Sequence, residues 1–506
     1  MPVHGRLDHN ALMIEKKYLG IDLGAGSVRI MLGTIDEGRL RLEEAHRFPN
    51  DPVRLGDTLY WDFPRIFAGV LEGIRAGADL AGGEVHGIGV DSWGVDFGLL
   101  DRRGDLLANP VHYRDARTDG VMEEFLSRIP RDRVFAETGI QFLSLNTLYQ
   151  IAALSRTSPD LLAVAGKLLL VADLVAYFLT GRAAAEMTLA STTQLWNTLE
   201  RVWSGRLAEA AGLPPGILPD LVPPGTVLGP LRPEIAAAAG LRAAPPVIAT
   251  ASHDTAAAVA AVPAEGERSW AYLSSGTWSL IGVELDSPLL DDRALERNFT
   301  NEAGVGGTTR FLRNLNGLWL VRECRRRWER EVEALDYEQL AELADAAGPA
   351  RSFIQPSHPS FFAPGDMPEA IRDYTRFTGQ DVPGTPGESV RCVLESLAFS
   401  YREVVDDLRD VAGIAVDRVH LVGGGSRDRL HAQLTADALG VPVIAGPVEA
   451  TAAGNILVQA MATGLVRSRA EIREIVRRSF EPRVHDPRPA EDRDEKYEAF
   501  RKLPRS

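Results

Sequence analysis

The sequence predicts an α/β protein built as two similar halves, and three observations carry that expectation. Strand-like and helix-like segments alternate along the chain, and glycine or other small residues turn the chain at strand ends. A unit of strand, small-residue turn and strand also occurs twice, about half a chain apart.

The elements follow in order. A polar leader, residues 1–17, carries His4, Arg6, Asp8 and His9 and lacks the apolar stretch of a secretory signal. Residues 18–22 read as a strand, Gly24-Ala25-Gly26-Ser27 as a turn and residues 28–34 as a second strand. Asp36-Glu37-Gly38 then turns into a third strand over 39–48. Pro64 opens an amphipathic helix with Ile66, Val70 and Ile74 on one face, and a strand over 85–91 runs into the turn Ser92-Trp93-Gly94-Val95-Asp96. Residues 201–246 are dense in Pro, Gly and Ala, with Pro214-Pro215, Pro223-Pro224 and Pro245-Pro246, and read as a long irregular connection.

The opening pattern returns as a strand over 270–273, the turn Ser274-Ser275-Gly276-Thr277 and a strand over 278–285. Residues 389–412 form the clearest helix, with Val393, Leu397, Tyr401, Val404, Leu408 and Val411 at helical spacing before Gly413. A strand over 419–422 meets Gly423-Gly424-Gly425 and a helix over 426–439. The expected division is therefore 18–246 and 247–482, followed by a charged tail over 483–506 with a surface helix from Glu491.

Composition bounds the function. The 506 residues suit two or more domains, and 45% hydrophobic with 25% charged residues is ordinary for a folded chain. Lys plus Arg number 55 against 70 Asp plus Glu, a net −15 that argues against general binding to nucleic acid or an anionic membrane. With only Cys324 and Cys392, neither a disulfide framework nor a cysteine metal cluster is expected, and a reducing cytoplasm is the natural setting. No stretch approaches the roughly 18 apolar residues of a membrane span. No GxxxxGK[ST] loop exists either, because Gly166-Lys167 is followed by Leu168 and Leu161 stands where the first glycine belongs.

Four constellations can carry chemistry. In Asp22-Leu23-Gly24-Ala25-Gly26-Ser27-Val28-Arg29, small residues let backbone N–H groups approach a phosphate, or simply close a hairpin. Asp22 either holds a hydrated magnesium ion or caps the turn. Ser274-Ser275-Gly276-Thr277 repeats the device, and two facing turns can grip a triphosphate from both sides. Gly423-Gly424, between strand and helix, either admits a flat ring or phosphate or makes a tight turn with Ser426 as N-cap. In Ser252-His253-Asp254-Thr255, Asp254 is a general base with His253 orienting the attacking hydroxyl, or Asp254 or Thr255 caps the next helix. The mixed-sign run Arg322-Glu323-Cys324-Arg325-Arg326-Arg327-Trp328-Glu329-Arg330-Glu331 reads as a solvated helix face.

Taken in order, these motifs resemble the FGGY carbohydrate kinases over about residues 18–482. The specific stretches are Asp91-Ser92-Trp93-Gly94-Val95-Asp96, Tyr113-Arg114-Asp115-Ala116-Arg117-Thr118, Gln141 with Asn146-Thr147-Leu148-Tyr149-Gln150, Ser252-His253-Asp254-Thr255, Ser274-Ser275-Gly276-Thr277-Trp278, Asn314 with Gly317-Leu318-Trp319, and Gly423-Gly424-Gly425. The resemblance implies two actin-like, ribonuclease-H-like domains, each a mixed sheet flanked by helices, with the active site in the cleft between them. It also implies γ-phosphoryl transfer from ATP to the 1-hydroxyl of a ketose, L-rhamnulose for the members these stretches most resemble, with Mg²⁺ required.

Carried over by motif, Ala25, Gly26, Ser27, Val28, Arg29 and Thr277 would contact ATP phosphates, and Gly423 and Gly424 would meet the nucleotide. Gly94, His253, Asp254, Thr255 and Asn314 would line the sugar site, with Asp254 as base. Val28 stands where the family pattern usually has glycine, which would stiffen the first turn. Arg322 replaces a glutamine that approaches nucleotide and is the remaining nucleotide-site candidate. The expected partners are ATP and a small sugar, without nucleic acid or membrane, for a monomer or weak homo-oligomer. The rival readings are a kinase of the same family for L-fuculose, a xylulose or glycerol, and an actin-like or chaperone-like ATPase.

Overall fold

The computed structural model describes residues 15–266, 269–329, 335–362 and 364–505. Most of the predicted leader, residues 1–14, lies outside them, and Lys16 and Lys17 already belong to the first strand.

Two mixed sheets form the two halves. The first contains β1 (Lys16–Leu23), β2 (Ser27–Asp36), β3 (Arg39–Pro49), β4 (Gly87–Ser92), β5 (Thr226–Pro230) and β6 (Pro246–Ala249), in the order β5-β6-β4-β1-β2-β3. The second contains β7 (Trp270–Ser275), β8 (Trp278–Leu285), β9 (Thr300–Ala303), β10 (Thr309–Asn316), β11 (Arg418–Val422), β12 (Val443–Ala445) and β13 (Arg483–His485), in the order β9-β10-β8-β7-β11-β12-β13.

Strand for strand, the duplication runs deeper than the two turns that suggested it. β3-β2-β1 are antiparallel neighbours, β1-β4-β6 are parallel, and β6-β5 is antiparallel. β10-β8-β7, β7-β11-β12 and β12-β13 repeat each of those senses. Strand β9 extends the second sheet beyond the correspondence.

Three sequence expectations need correction. The boundary near Val247 falls inside β6, which pairs in parallel with β4 through Val247 and Ile88, so the first sheet runs past it. Residues 201–246 are not irregular throughout: they include the helices Gly205–Ala210 and Pro233–Ala238 and strand β5, short elements that proline and glycine punctuate without abolishing. The charged tail is docked. β13 joins the second sheet, and the helix Arg493–Arg501 buries Tyr497 and Phe500 against Phe399, each ring centroid 5.8 Å away. Its charged residues face solvent while two aromatics pay no exposure.

The helices form where capping and periodicity agree. In α1 (Phe63–Ala81), Asp62 accepts from the Arg65 N–H at 3.2 Å, Pro64 occupies the first turn, and Gly82 closes the end at φ 67°. Ile66, Val70 and Ile74 are buried against the first sheet as their spacing requires, each contributing about 1.5–3 kcal/mol by transfer from water. The 27-residue helix Pro386–Ala412 opens on a Thr385–Glu388 capping box and ends at Gly413, φ 67°.

Two further helices join the halves: α2 (Asp254–Ala260) and α3 (Ala450–Ala462). Their alanine-rich faces pack so closely that a β-carbon on Gly454 would overlap the Ala257 carbonyl oxygen. From α3, Asn455 Nδ2 donates to Asp91 Oδ2 at 2.5 Å and Gln459 Nε2 donates to the Leu19 carbonyl at 3.0 Å. The second half thereby plugs polar side chains into the first sheet beside the cleft.

Candidate active site

The hairpin turns at the ends of β1 and β7 face a common cleft of about 990 Å³. Asp22, Ala25, Gly26, Ser27, Arg29, Gly94, His253, Asp254, Thr255, Thr277, Asn314, Arg322, Gly423 and Gly424 all line it, so residues from both halves meet in one place. Val28 does not: its side chain is wholly buried in the core of the first half. Alternation along β2 turns it away from the cleft, so the absence of glycine there adds a side chain to the core.

The first turn is braced from below. Gly24 N–H donates to the Ser27 carbonyl at 3.1 Å, and Asn50 Nδ2 donates to the Gly24 carbonyl at 2.9 Å. Arg29 is held by Asp22 and by Glu449, which also accepts from Arg427 at 2.8 Å. The second turn is tied to the loop after β10, with Leu318 N–H donating to the Gly276 carbonyl at 2.9 Å. Ser275 Oγ lies 3.3 Å from His431 Nε2, and a β-carbon on Gly425 would collide with Ser275. Glycine at 425 therefore lets the Gly423-Gly424 turn, with Gly423 at φ 83°, close onto the second hairpin turn.

The helix Trp319–Trp328 is not a solvated face. Glu323 and Cys324 are buried, while Arg322, Arg325 and Arg326 turn into the cleft. The Arg322 guanidinium lies across from the other half on the first turn, where a β-carbon on Gly26 would strike it, and 5.7 Å from the Trp319 ring. Arg330 and Glu331 lie outside the described residues.

At the other end of the cleft a polar chain surrounds Asp254. Gln141 Oε1 accepts from Asn314 N at 2.8 Å and from Asn314 Nδ2 at 3.1 Å, and Gln141 Nε2 returns a bond to the Asn314 carbonyl at 3.1 Å. Asn314 Nδ2 lies 3.4 Å from Glu302 Oε1. Glu302 Oε2 pairs with Arg310 Nη2 at 2.9 Å, and that nitrogen is also 3.0 Å from His253 Nδ1. His253 Nε2 then lies 3.5 Å from Asp254 Oδ1. Burial pushes the Asp254 carboxyl above the ordinary aspartate value; His253 opposes the shift and Asp22 adds to it.

The motif around Gly94 is organised by Asp96, which is fully buried. It accepts from Trp61 Nε1 at 2.7 Å, Trp93 Nε1 at 3.0 Å, Tyr113 N at 3.2 Å and Gln150 Nε2 at 3.0 Å. Three separate sequence motifs thus converge on one carboxylate. Gly94 has no room for a side chain beside Thr192, and Val95 adopts φ 70°, a strained conformation for a β-branched residue. Its backbone is held by Thr147 Oγ1 at 2.7 Å to the carbonyl and by Thr192 Oγ1 at 3.3 Å from the N–H.

Sequence reasoning missed Glu302, Arg310, Thr192 and Glu186. For Glu302 and Arg310 a signal existed: each is a charge within a strand-like segment, and both are buried in the second sheet.

Among the described residues no cluster of three or more His, Cys, Asp or Glu side chains is arranged to hold a metal ion, and no helix is long and apolar enough to cross a membrane. Asp22 is nevertheless a carboxylate on the cleft between the two hairpin turns, and one or two carboxylates suffice for a magnesium ion that keeps its waters and phosphate ligands.

Residues 17–260 match the N-terminal domain, and residues 271–463 the C-terminal domain, of the FGGY family of carbohydrate kinases. The chain is 44% identical over 474 residues to a rhamnulokinase of Bacteroides thetaiotaomicron, covering 94% of this chain and 96% of that one. It is 41% identical to a rhamnulokinase of Oceanobacillus iheyensis, covering 92% and 97%. Among solved structures, the ligand-bound xylulose kinase of Lactobacillus acidophilus superposes with a TM-score of 0.77 at 18% identity, covering 96% of both chains. Plasmodium falciparum glycerol kinase with ADP superposes with a TM-score of 0.75 at 16% identity, covering 96% and 97%. At those identities the likeness concerns the fold.

Proposed function

Because this chain belongs to the FGGY family of carbohydrate kinases, we propose that it transfers the γ-phosphoryl group of ATP to the 1-hydroxyl of L-rhamnulose, giving L-rhamnulose 1-phosphate and ADP. The observation that carries the reading is the placement of the His253–Asp254 pair beside Asn314 and Gln141, in the same cleft as both phosphate turns. Identity to rhamnulokinases over nearly the whole chain supports the choice of sugar.

Phosphoryl transfer needs little covalent help, so the protein's part is positioning and charge. Asp254 takes the proton of the sugar hydroxyl as its oxygen attacks the γ-phosphorus; the bond to the bridging oxygen breaks and ADP leaves. His253 Nε2 orients the hydroxyl, while Gln141, Asn314 and the Gly94 turn hold the sugar. Ala25, Gly26, Ser27 and Thr277 offer donors to the phosphates, Arg322 adds a positive charge, and Gly423 and Gly424 meet the nucleotide. Arg29 acts one step away, by holding Asp22 in place. Asp22 would hold Mg²⁺ through water, and the ion would neutralise phosphate charge when bound. The halves divide after β6, so that closure about α2 and α3 excludes water from the acceptor site. A cytoplasmic setting follows from the need for ATP and agrees with the two buried free cysteines.

The test is ADP release from Mg-ATP with L-rhamnulose, L-fuculose, D- and L-xylulose, glycerol or no sugar. Strong stimulation by L-rhamnulose is expected. Preference for another acceptor would overturn the substrate, and sugar-independent hydrolysis would indicate a partner-switching ATPase instead.

A further inference from the structure

We propose that Glu186 is a positioning residue for phosphoryl transfer, holding the backbone of segment 252–254 so that His253 and Asp254 face the sugar. The inference rests on Asp254 being the base. Glu186 lies 66 residues before the segment, is fully buried, and caps the short helix Met187–Ala190.

Its two oxygens collect four donors. Oε1 accepts from Thr188 N–H at 2.9 Å; Oε2 accepts from Leu189 N–H at 3.2 Å, from Ser252 N–H at 3.0 Å and from the Thr188 hydroxyl. Because that hydroxyl spends its proton on Glu186, its lone pairs are free for the His253 N–H, which donates to it at 3.2 Å. Two successive N–H groups immediately before Asp254 are therefore held by one carboxylate, directly and through Thr188. On the opposite side Ser92 N–H donates to the Ser252 carbonyl at 2.9 Å, tying the segment to the end of β4. The chain entering Asp254 is strung between the first sheet and Glu186, with no reliance on solvent.

A carboxylate is the group this site requires. Every polar atom facing it is a donor, and a carboxylate accepts at both oxygens while an amide cannot. Glutamine in either orientation would set its NH₂ against at least one donor; aspartate is one methylene too short to reach both sides. Asp173 stands behind it, accepting from Glu186 N–H at 3.1 Å, with its second oxygen buried and unpaired. Burial, then the charge of Glu186, pushes the Asp173 carboxyl upward, which spares the site a second negative charge. Burial also pushes Glu186 up to about 7 against its four donors, so assays at pH 8.5 keep it as the carboxylate.

The test compares Glu186→Gln, Thr188→Ala, Thr188→Ser and Asp254→Asn at pH 8.5. Misplacing the base by about 1 Å costs roughly 10²-fold, so Glu186→Gln should lose about that factor in kcat while the KM for ATP stays within about twofold. Should Glu186→Gln fail to fold, the threonine pair decides: Thr188→Ser keeps the relay and should turn over normally, whereas Thr188→Ala should lose kcat. Equal kcat in the two threonine variants, or a folded Glu186→Gln with kcat within twofold of the parent, overturns the positioning role. A fully active Asp254→Asn would instead overturn the base on which the role rests, so the two failures are told apart.

Discussion

Arg310 donates from Nη2 to His253 Nδ1 at 3.0 Å, from a position with no exposure to solvent. A guanidinium has no acceptor, so the Nδ1 of His253 must be the unprotonated nitrogen and Nε2 the one that carries hydrogen. That places an N–H, not a lone pair, on the side of Asp254 and the sugar. Replacing Arg310 with Met frees the ring to adopt either tautomer and leaves Glu302 a buried charge without its partner. Breaking such a pair costs about 3–5 kcal/mol, to be read from urea unfolding, and kcat should fall with it. Adding Glu302→Leu to Arg310→Met should recover most of the stability without the activity. A stable single variant with normal turnover would exclude this role for Arg310.

Glu302 makes acid stability predictable. Burial alone would raise its carboxyl, but the Arg310 guanidinium beside it outweighs burial and holds it down to about 2 from an ordinary 4.5. A depressed carboxyl stabilises the fold fully above its unfolded value and loses that contribution as pH falls through 4.5 toward 2. About 1 kcal/mol should go between pH 6 and pH 3.5 from this group alone. Glu302→Gln should therefore show a shallower loss of urea stability over that interval; an unchanged slope would mean that Glu302 is not depressed.

For Asp254 the expectation concerns rate. Asp254→Asn keeps the shape of the site and removes the proton acceptor, so kcat should fall roughly 10²–10⁴-fold. Binding of the sugar, measured by calorimetry with a non-hydrolysable nucleotide, should survive. Near-normal turnover would exclude Asp254 as the base.

Much of this site was legible because its devices are local. Gly24-Ala25-Gly26-Ser27 and Ser274-Ser275-Gly276-Thr277 declare themselves as small residues between strands, and Asp254 follows a strand within a few residues. Their meeting in one cleft was implied by resemblance and by the duplication, which extends to six corresponding strands. What stayed hidden depends on register and on distant partners. Val28 sits within a local motif, yet strand alternation turns it into the core. Arg310 reaches His253 across 57 residues and Glu186 reaches Ser252 across 66, and no periodicity encodes such pairs. The helix Arg493–Arg501 was expected, but its docking was masked by charge, since only two of its residues, Tyr497 and Phe500, are buried.

Arg322 tests whether a departure from the family pattern has been put to use. Its guanidinium rests on the first hairpin turn from the opposite half of the protein, beside Trp319. A charged hydrogen bond to phosphate contributes about 1.5–3 kcal/mol, so Arg322→Gln should raise the KM for ATP roughly 10-fold or more. The increase should shrink as salt is added, because screening weakens the parent's advantage. An ATP KM that is unchanged at low salt would place Arg322 outside the nucleotide's reach.

The contact of Gly454 with Ala257 links stability to the position of Asp254. In an exposed helix, Gly→Ala would stabilise by about 1 kcal/mol through backbone entropy. Here the added β-carbon overlaps a carbonyl oxygen of α2, a backbone atom that cannot rotate away. Overpacking of this kind typically costs about 1–3 kcal/mol, so the net sign should reverse and Gly454→Ala should lower the urea midpoint. Because α2 begins at Asp254, the proposed base, relieving the overlap by moving α2 also moves that carboxylate, and kcat should fall in the folded variant. A variant that melts higher and turns over normally would show that α2 and α3 have room to separate, and that the spacing of these helices does not set the site.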